Sequence, residues 1–335
     1  MSKRIGFAIV PAVLAALVFC GYAAGAHAQQ ILRLGSIVAP ASVQAQAIDR
    51  FAENVKKKNV GVEIRTFHGS QLGSGPDQVR NVQLGVQDMF MDGMTFWADF
   101  SDDMRIAETP FSFASREHFE KWVRSASFGR IQEDIITKGS QRLINLGVTW
   151  RRGPFRVLVA KKPVLNLGDF SNLRLRVWQS EVITRFYGKP GLGATTVALP
   201  LGDVYLGMRQ GVVDGLTLPF DLVLSMKFNE VGNHIMLWDE FWQVLPMSIN
   251  EKKWQALTEA QRRAITESVD EAGNWYNDQL VNSVAQWKAE LVKAGATLHN
   301  VDRTPFVQRI AERNRQWQKE NYWRAGLIDE IERLR

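Results

Sequence analysis

Apolar and polar positions change period several times along the chain, and each change predicts an element. Residues 31–36 alternate with a period of two, which predicts a strand. From Ser42 to Lys57 the period lengthens: Val43, Ala47, Phe51 and Val55 fall on one stripe of a helix. Residues 62–67 return to alternation, with Val62 and Ile64 on one face. Together these form a βαβ unit, which implies a parallel pair of strands and a right-handed crossover. A turn-rich loop at 69–75 leads to a helix over 77–84 that Gly85 stops, and then to a short buried strand, Met89-Phe90-Met91. Helices are predicted at 118–124 and 131–138, and a strand at 142–149. Further on, strand-like runs at 155–159 and 173–177 precede helices at 182–187 and 203–210. Thr258-Glu259-Ala260-Gln261 opens a long amphipathic helix as a capping box. That helix runs towards Leu291 and stops by Gly295, and another covers 306–320. No internal repeat is evident.

The first 28 residues do not belong to this pattern. Lys3 and Arg4 precede an apolar run from Ile5 to Phe19, and Ala26-His27-Ala28 is a small-x-small cleavage site. These features predict a cleaved signal peptide over 1–28 and a periplasmic location. The run is short for a membrane anchor. The bulky Phe19 before Cys20 argues against a lipoprotein. Cleavage would remove Cys20, the single cysteine, so stability must come from the core and not from disulfides.

The remaining chain of about 307 residues is long enough for two α/β lobes. Its 45% hydrophobic and 23% charged residues are those of an ordinary globular protein. A net charge of +6 would draw in anionic solutes. No long basic run with interleaved aromatics exists, so no nucleic-acid partner is expected. The chain has no Gly-x-Ser-x-Gly elbow, dinucleotide fingerprint, phosphate loop or His-Glu-x-x-His. His68, His118, His234 and His299 are scattered. No metal, cofactor or enzymatic activity is expected.

The chemistry concentrates between Arg156 and Phe228. Arg156 stands in Phe155-Arg156-Val157-Leu158-Val159, and Arg176 in Leu173-Arg174-Leu175-Arg176-Val177. An arginine flanked by β-formers is poorly solvated, and a guanidinium aimed into a cleft grips a carboxylate through two parallel hydrogen bonds. Arg174 alternates with Arg176 and is expected at the strand's outer end, its head in solvent. Arg151 and Arg152 are candidates for the cleft mouth. For both Arg156 and Arg176 the competing reading is an ion pair inside the protein.

Several blocks then form a pattern: Gln71-Leu72-Gly73, Val82 to Met89, Thr109-Pro110-Phe111-Ser112-Phe113, the two arginine strands, Asp203-Val204-Tyr205, Gln210-Gly211-Val212-Val213-Asp214-Gly215 and Lys227 to Val231. In order and spacing the chain resembles the solute-binding subunits of tripartite ATP-independent periplasmic (TRAP) transporters, of the DctP type that binds dicarboxylates or sialic acid. The resemblance covers essentially all of the chain after residue 28. It implies an α/β fold, a two-lobed periplasmic binding protein of type II-like form, with mixed sheets flanked by helices and a long lobe-spanning helix that bends on closure. Lobe I would comprise 29–153 with about 244–283, and lobe II 154–243 with about 284–335.

The resemblance also implies roles. Arg176 would form the main bidentate salt bridge to a ligand carboxylate, and Arg156 a supporting contact. The family's aspartate-glycine motif is usually followed by an asparagine before proline, but here Asp214-Gly215-Leu216-Thr217-Leu218-Pro219 has Leu218 in that place. Losing an amide and gaining an isobutyl group favours an aromatic or branched monocarboxylate over a C4-dicarboxylate or sialic acid. Trp178, Phe96 and Trp97 are candidate walls. The implied partners are a small organic acid and TRAP permease subunits driven by an ion gradient, and a monomer is expected. A periplasmic enzyme acting on anionic substrates is the alternative.

Overall fold

The computed structural model describes residues 29–189 and 191–335, so the expected signal peptide at 1–28 lies outside the described residues. The strands are β1 (Gln30–Gly35), β2 (Val62–Phe67), β3 (Met89–Met91), β4 (Gln141–Leu143), β5 (Arg156–Ala160), β6 (Arg174–Val177), β7 (Thr195–Ala198), β8 (Gly215–Pro219), β9 (His234–Leu237), β10 (Met247–Asn250) and β11 (Thr297–Asn300). They form two mixed sheets, ordered β2-β1-β3-β10-β4 and β11-β9-β5-β8-β6-β7.

The local chemistry explains the early elements. Ser42 caps the Val43–Lys57 helix by accepting from the Ala45 N–H, and Ala47, Ile48, Phe51 and Val55 are fully buried on its inner stripe. β1 and β2 then pair in parallel as the βαβ pattern predicts. The strand expected over 142–149 is shorter: only Gln141–Leu143 pairs with β10. Beyond it the chain leaves the sheet, and the Asn145 side chain bridges to the backbone of Leu245 and Met247. The short strands β7 to β11 escaped the sequence reading.

The two sheets share one plan. In the first, β1 lies between parallel β2 and β3, followed by antiparallel β10 and then β4. In the second, β6 lies between parallel β7 and β8, followed by antiparallel β5 and then β9. The helix before β3 ends at Gly85 and the helix before β8 ends near Gly211. Both glycines have positive φ, 73° and 77°, a conformation that favours glycine at helix ends. Each is followed by an exposed valine, Val86 or Val212, and then by an aspartate, Asp88 or Asp214. Asp88 accepts from the Arg33 N–H of β1, and Asp214 from the Arg174 N–H of β6. The chain therefore does contain a structural repeat. So few side chains survive in common that no sequence period shows.

The Glu259–Lys293 helix joins the halves. Thr258 and Gln261 form its capping box, and its 35 residues span about 52 Å. Ile265, Val269, Ala272, Tyr276 and Leu280 pack into a core shared with the first sheet, whereas Leu291 belongs to the other core, which takes in the second sheet. Among the described residues no helix is long and apolar enough to cross a membrane.

Candidate functional site

Equivalent positions of the two halves meet at one cavity. The register equates Gly35 with Arg176 and Phe90 with Leu216, because Gly35 pairs with Phe90 and Arg176 with Leu216. Two residues beyond Gly35 and Arg176 come Ile37 and Trp178, and both line the cavity. So do the equivalent pairs Gly93 and Pro219, and Phe96 and Leu222. The cavity encloses about 610 Å³ of space not filled by atoms, part of it open to solvent.

Arg176 enters this wall from β6 and is only 5% exposed. Its Nε donates to the Leu199 carbonyl at 2.9 Å. Among the described residues no carboxylate lies within ion-pairing distance of it, and its Nη atoms have no hydrogen-bond partner. Burial, and then the nearby Arg156 and Arg152, pull its pKa down to about 9, with Asp92 opposing. It remains a cation at neutral pH, but one held at a cost that an incoming anion would relieve.

Arg156, for which the resemblance implies a supporting contact to the ligand, also lines the cavity, and its guanidinium already has partners within the protein. Its Nε donates to Glu240 Oε1 at 2.9 Å, Nη1 to Gln243 at 3.4 Å and Nη2 to the Thr217 hydroxyl at 3.1 Å. Its guanidinium carbon also lies 5.0 Å from the Trp178 ring and 4.6 Å from that of Phe241. Both members of the Arg156–Glu240 pair are buried, so the ion pair is internal. Arg152 lines the same cavity and pairs with buried Asp92. Arg174 is half-exposed and pairs with Asp214 through two parallel hydrogen bonds of 2.9 and 2.7 Å. That agrees with its expected place at the outer end of the strand.

Of the expected walls, Trp178, Leu218 and Phe96 do line the cavity. Trp97 does not. It is fully buried 5.6 Å from Phe90, and its indole N–H donates to Gln141 at 3.0 Å. Successive residues of this 3-10 turn point apart, so only one of the two rings can face the cleft.

Glu108, fully buried at the cavity wall, was missed by the sequence reading. It accepts from Ser180 Oγ at 2.9 Å, Gln243 Nε2 at 3.2 Å and Trp178 Nε1 at 3.3 Å. Burial pushes its pKa up to about 7, against the pull of Ser180, Arg156, Trp178 and Arg152. Its only sequence signal was a lone carboxylate directly before the Thr109–Phe113 block. Among the described residues no cluster of side chains is arranged to hold a metal ion.

Comparison with known proteins gives one consistent result. The family model for DctP, bacterial extracellular solute-binding protein family 7, matches residues 34–321. A solute-binding protein of Verminephrobacter eiseniae is 26% identical over 307 residues, covering 91% of this chain and 89% of the relative. The 2,3-diketo-L-gulonate-binding periplasmic protein of Escherichia coli is 25% identical over 315 residues, covering 93% of each. A crystal structure of a TRAP periplasmic solute-binding protein from Polaromonas sp. JS666, bound to D-erythronate, matches with a TM-score of 0.81. It is 23% identical, and the match covers 90% of this chain and 98% of that one.

Proposed function

Because the chain belongs to the DctP family of bacterial extracellular solute-binding proteins, we propose that it captures a small hydroxylated carboxylate between its two halves and delivers it to a TRAP permease in the membrane. The observation that carries this reading is Arg176, a buried cation in the cavity wall with no acid of its own among the described residues. A ligand carboxylate there would take charge-assisted hydrogen bonds worth about 1.5–3 kcal/mol each. It would also offset the repulsion between Arg176 and Arg156, so closure is favoured with the anion and opposed without it. Residues 29–153 with about 244–283 would move as one lobe and 154–243 with about 284–335 as the other, the Glu259–Lys293 helix bending between them.

The aromatic or branched monocarboxylate expected from Leu218 is the weaker reading of the ligand. Leu218, Phe96 and Trp178 do offer apolar surface. The same wall also carries Ser70, Thr95, Gln179, Thr217 and Gln243. A ligand without hydroxyls would strip water from such groups and return no hydrogen bond. Diketogulonate and erythronate, the ligands of two of the similar proteins, are hydroxylated acids and favour the same choice.

Isothermal titration of the purified protein with D-erythronate, 2,3-diketo-L-gulonate, phenylacetate and isovalerate tests this. Binding of a hydroxylated acid that Arg176→Ala abolishes is the expected result. Tighter binding of phenylacetate or isovalerate would reverse the ligand choice, and an unaffected Arg176→Ala variant would remove the site. The family is one of transport proteins, not enzymes, and mass spectrometry of the incubated acid should recover it unchanged.

A further inference from the structure

Charge accounting in the cavity wall leaves two groups without an opposite partner. Arg156 is paired with Glu240, and Arg152 with Asp92. Among the described residues Arg176 remains as an unpaired cation. Glu108 remains as a carboxyl held by neutral donors, Ser180, Trp178 and Gln243, and in none of the ion pairs among the described residues. The two act at different places. Arg176 binds the Leu199 carbonyl, whereas Glu108 is held by Ser180, Trp178 and Gln243, so the two share no hydrogen-bond partner. The cavity thus has a basic end at Arg176, beside the Leu199 carbonyl and Pro200, and an acidic end at Glu108.

We propose that Glu108 makes this cavity reject acids that carry a second carboxylate, so that the ligand is a singly charged hydroxy acid. This rests on the reading that Arg176 holds the first carboxylate. With one carboxylate on Arg176, the rest of a small ligand extends along the wall towards Trp178, Gln243 and Glu108. A hydroxyl there donates to a carboxylate or to the Gln243 amide. A second carboxylate meets a like charge in a water-poor space, where Coulomb energies are several times larger than in water. The repulsion needs no direct contact, so it acts even though Glu108 is covered by its donors.

The groups facing Glu108 from every side support a charge-based filter. They are Arg152 before β5, Arg156 on β5, Trp178 and Ser180 after β6, and Gln243 between β9 and β10, with Arg80, Asp99, Arg105, Lys138 and Glu181 at the adjoining mouth. Arg152 and Arg156 have carboxylates of their own, Arg105 pairs with Asp102 and Lys138 with Asp134, and Arg80 is exposed at the mouth. Apart from Arg176, no unpaired cation among the described residues lines the cavity itself, so none there neutralises a second ligand charge. Burial places the Glu108 transition at about 7, so the filter should be active in alkaline buffer and fade in mildly acid buffer.

The experiment is titration of the purified protein with D-erythronate, 2,3-diketo-L-gulonate and succinate at pH 6.0 and 8.0. The variants are Glu108→Gln, which removes the charge, Glu108→Asp, which keeps it, and Arg176→Ala. At pH 8 the wild type should favour a hydroxy acid over succinate. Glu108→Gln should narrow that preference by about 10- to 30-fold, while Glu108→Asp largely retains it. In the wild type the preference should shrink between pH 8.0 and 6.0, with Glu108→Gln flat across the range. An unchanged preference in a folded Glu108→Gln, or one lost equally in Glu108→Asp, overturns the proposal. A preference that ignores pH in the wild type also overturns it. If Arg176→Ala still binds every acid, or no acid binds the wild type, the carboxylate reading itself fails and the filter falls with it.

Discussion

The two sheets follow the same plan, yet their equivalent central positions could hardly differ more. Gly35 on β1 and Arg176 on β6 occupy the same place in their respective registers. At Gly35 the space is filled by Gln78 and Gln87, both buried and hydrogen-bonded to each other at 3.0 Å. A Cβ there would overlap the Gln78 amide. At Arg176 the corresponding direction opens on the cavity. A second contrast lies two residues past Phe90 and Leu216. Asp92, which pairs with Arg152, is equivalent to apolar Leu218. The repeat supplies a frame, and one half of it has been given the cation while the other is closed with amides. The lesson is that a repeated fold fixes where a cavity lies but not its charge.

The harshest way to break this comparison is to move the cation across. Gly35→Arg places a charge and a long side chain into packed glutamines. It should cost more than about 5 kcal/mol, enough to abolish folding of a protein of ordinary stability. Expression level and far-UV circular dichroism check it; a soluble, cooperatively melting variant would show that the first sheet has room to spare. The converse change, Arg176→Gly, makes the second sheet resemble the first. It should weaken acid binding by about 100-fold or more through loss of about 3–5 kcal/mol, with the melting temperature kept or raised. Calorimetric titration beside a thermal melt separates the two effects.

A smaller effect belongs to pH. The Glu108 pKa rises from 4.5 to about 7 on burial, so its ionisation opposes folding. The stability lost in this way is absent below 4.5, grows as pH rises towards 7, and levels off above it. Urea melts of wild type and Glu108→Gln should therefore diverge by about 1–3 kcal/mol between pH 4.5 and 8, in favour of the variant. Parallel profiles would mean that Glu108 is better solvated than its surroundings indicate.

The mildest test compares the paired aspartates. Asp88 is 5% exposed and faces Arg33 and Lys253, whereas Asp214 is 27% exposed and faces Arg174. Asp88→Asn should cost about 1–2 kcal/mol and Asp214→Asn less than about 1 kcal/mol. Arg174 holds the Asp214 carboxyl below its usual range, so that smaller contribution exists above pH 3.8 and disappears as acid titrates the folded form. Equal costs at pH 7 would make the two turns energetically alike.

Periodicity and end signals determined the elements that carry their own evidence. The Val43–Lys57 helix, the β1–β2 pair, the Gly85 stop and the long capped helix were legible because their burial stripes and caps are local. Arg176 was legible as a cation among β-formers. Tertiary structure decided the rest. The strands from β7 onward are short, four or five residues each, and acquire identity only by pairing. The repeat stayed hidden because it is held by backbone turns and a few aspartates, which many sequences satisfy. Arg156 and Arg176 had the same local signature, and only a glutamate 84 positions away made one an ion pair and left the other open. Phe96 and Trp97 likewise parted only when the fold chose which ring faced the core. A side chain's chemistry is written in the chain, but whether its charge is already spent depends on neighbours that the chain brings together only on folding.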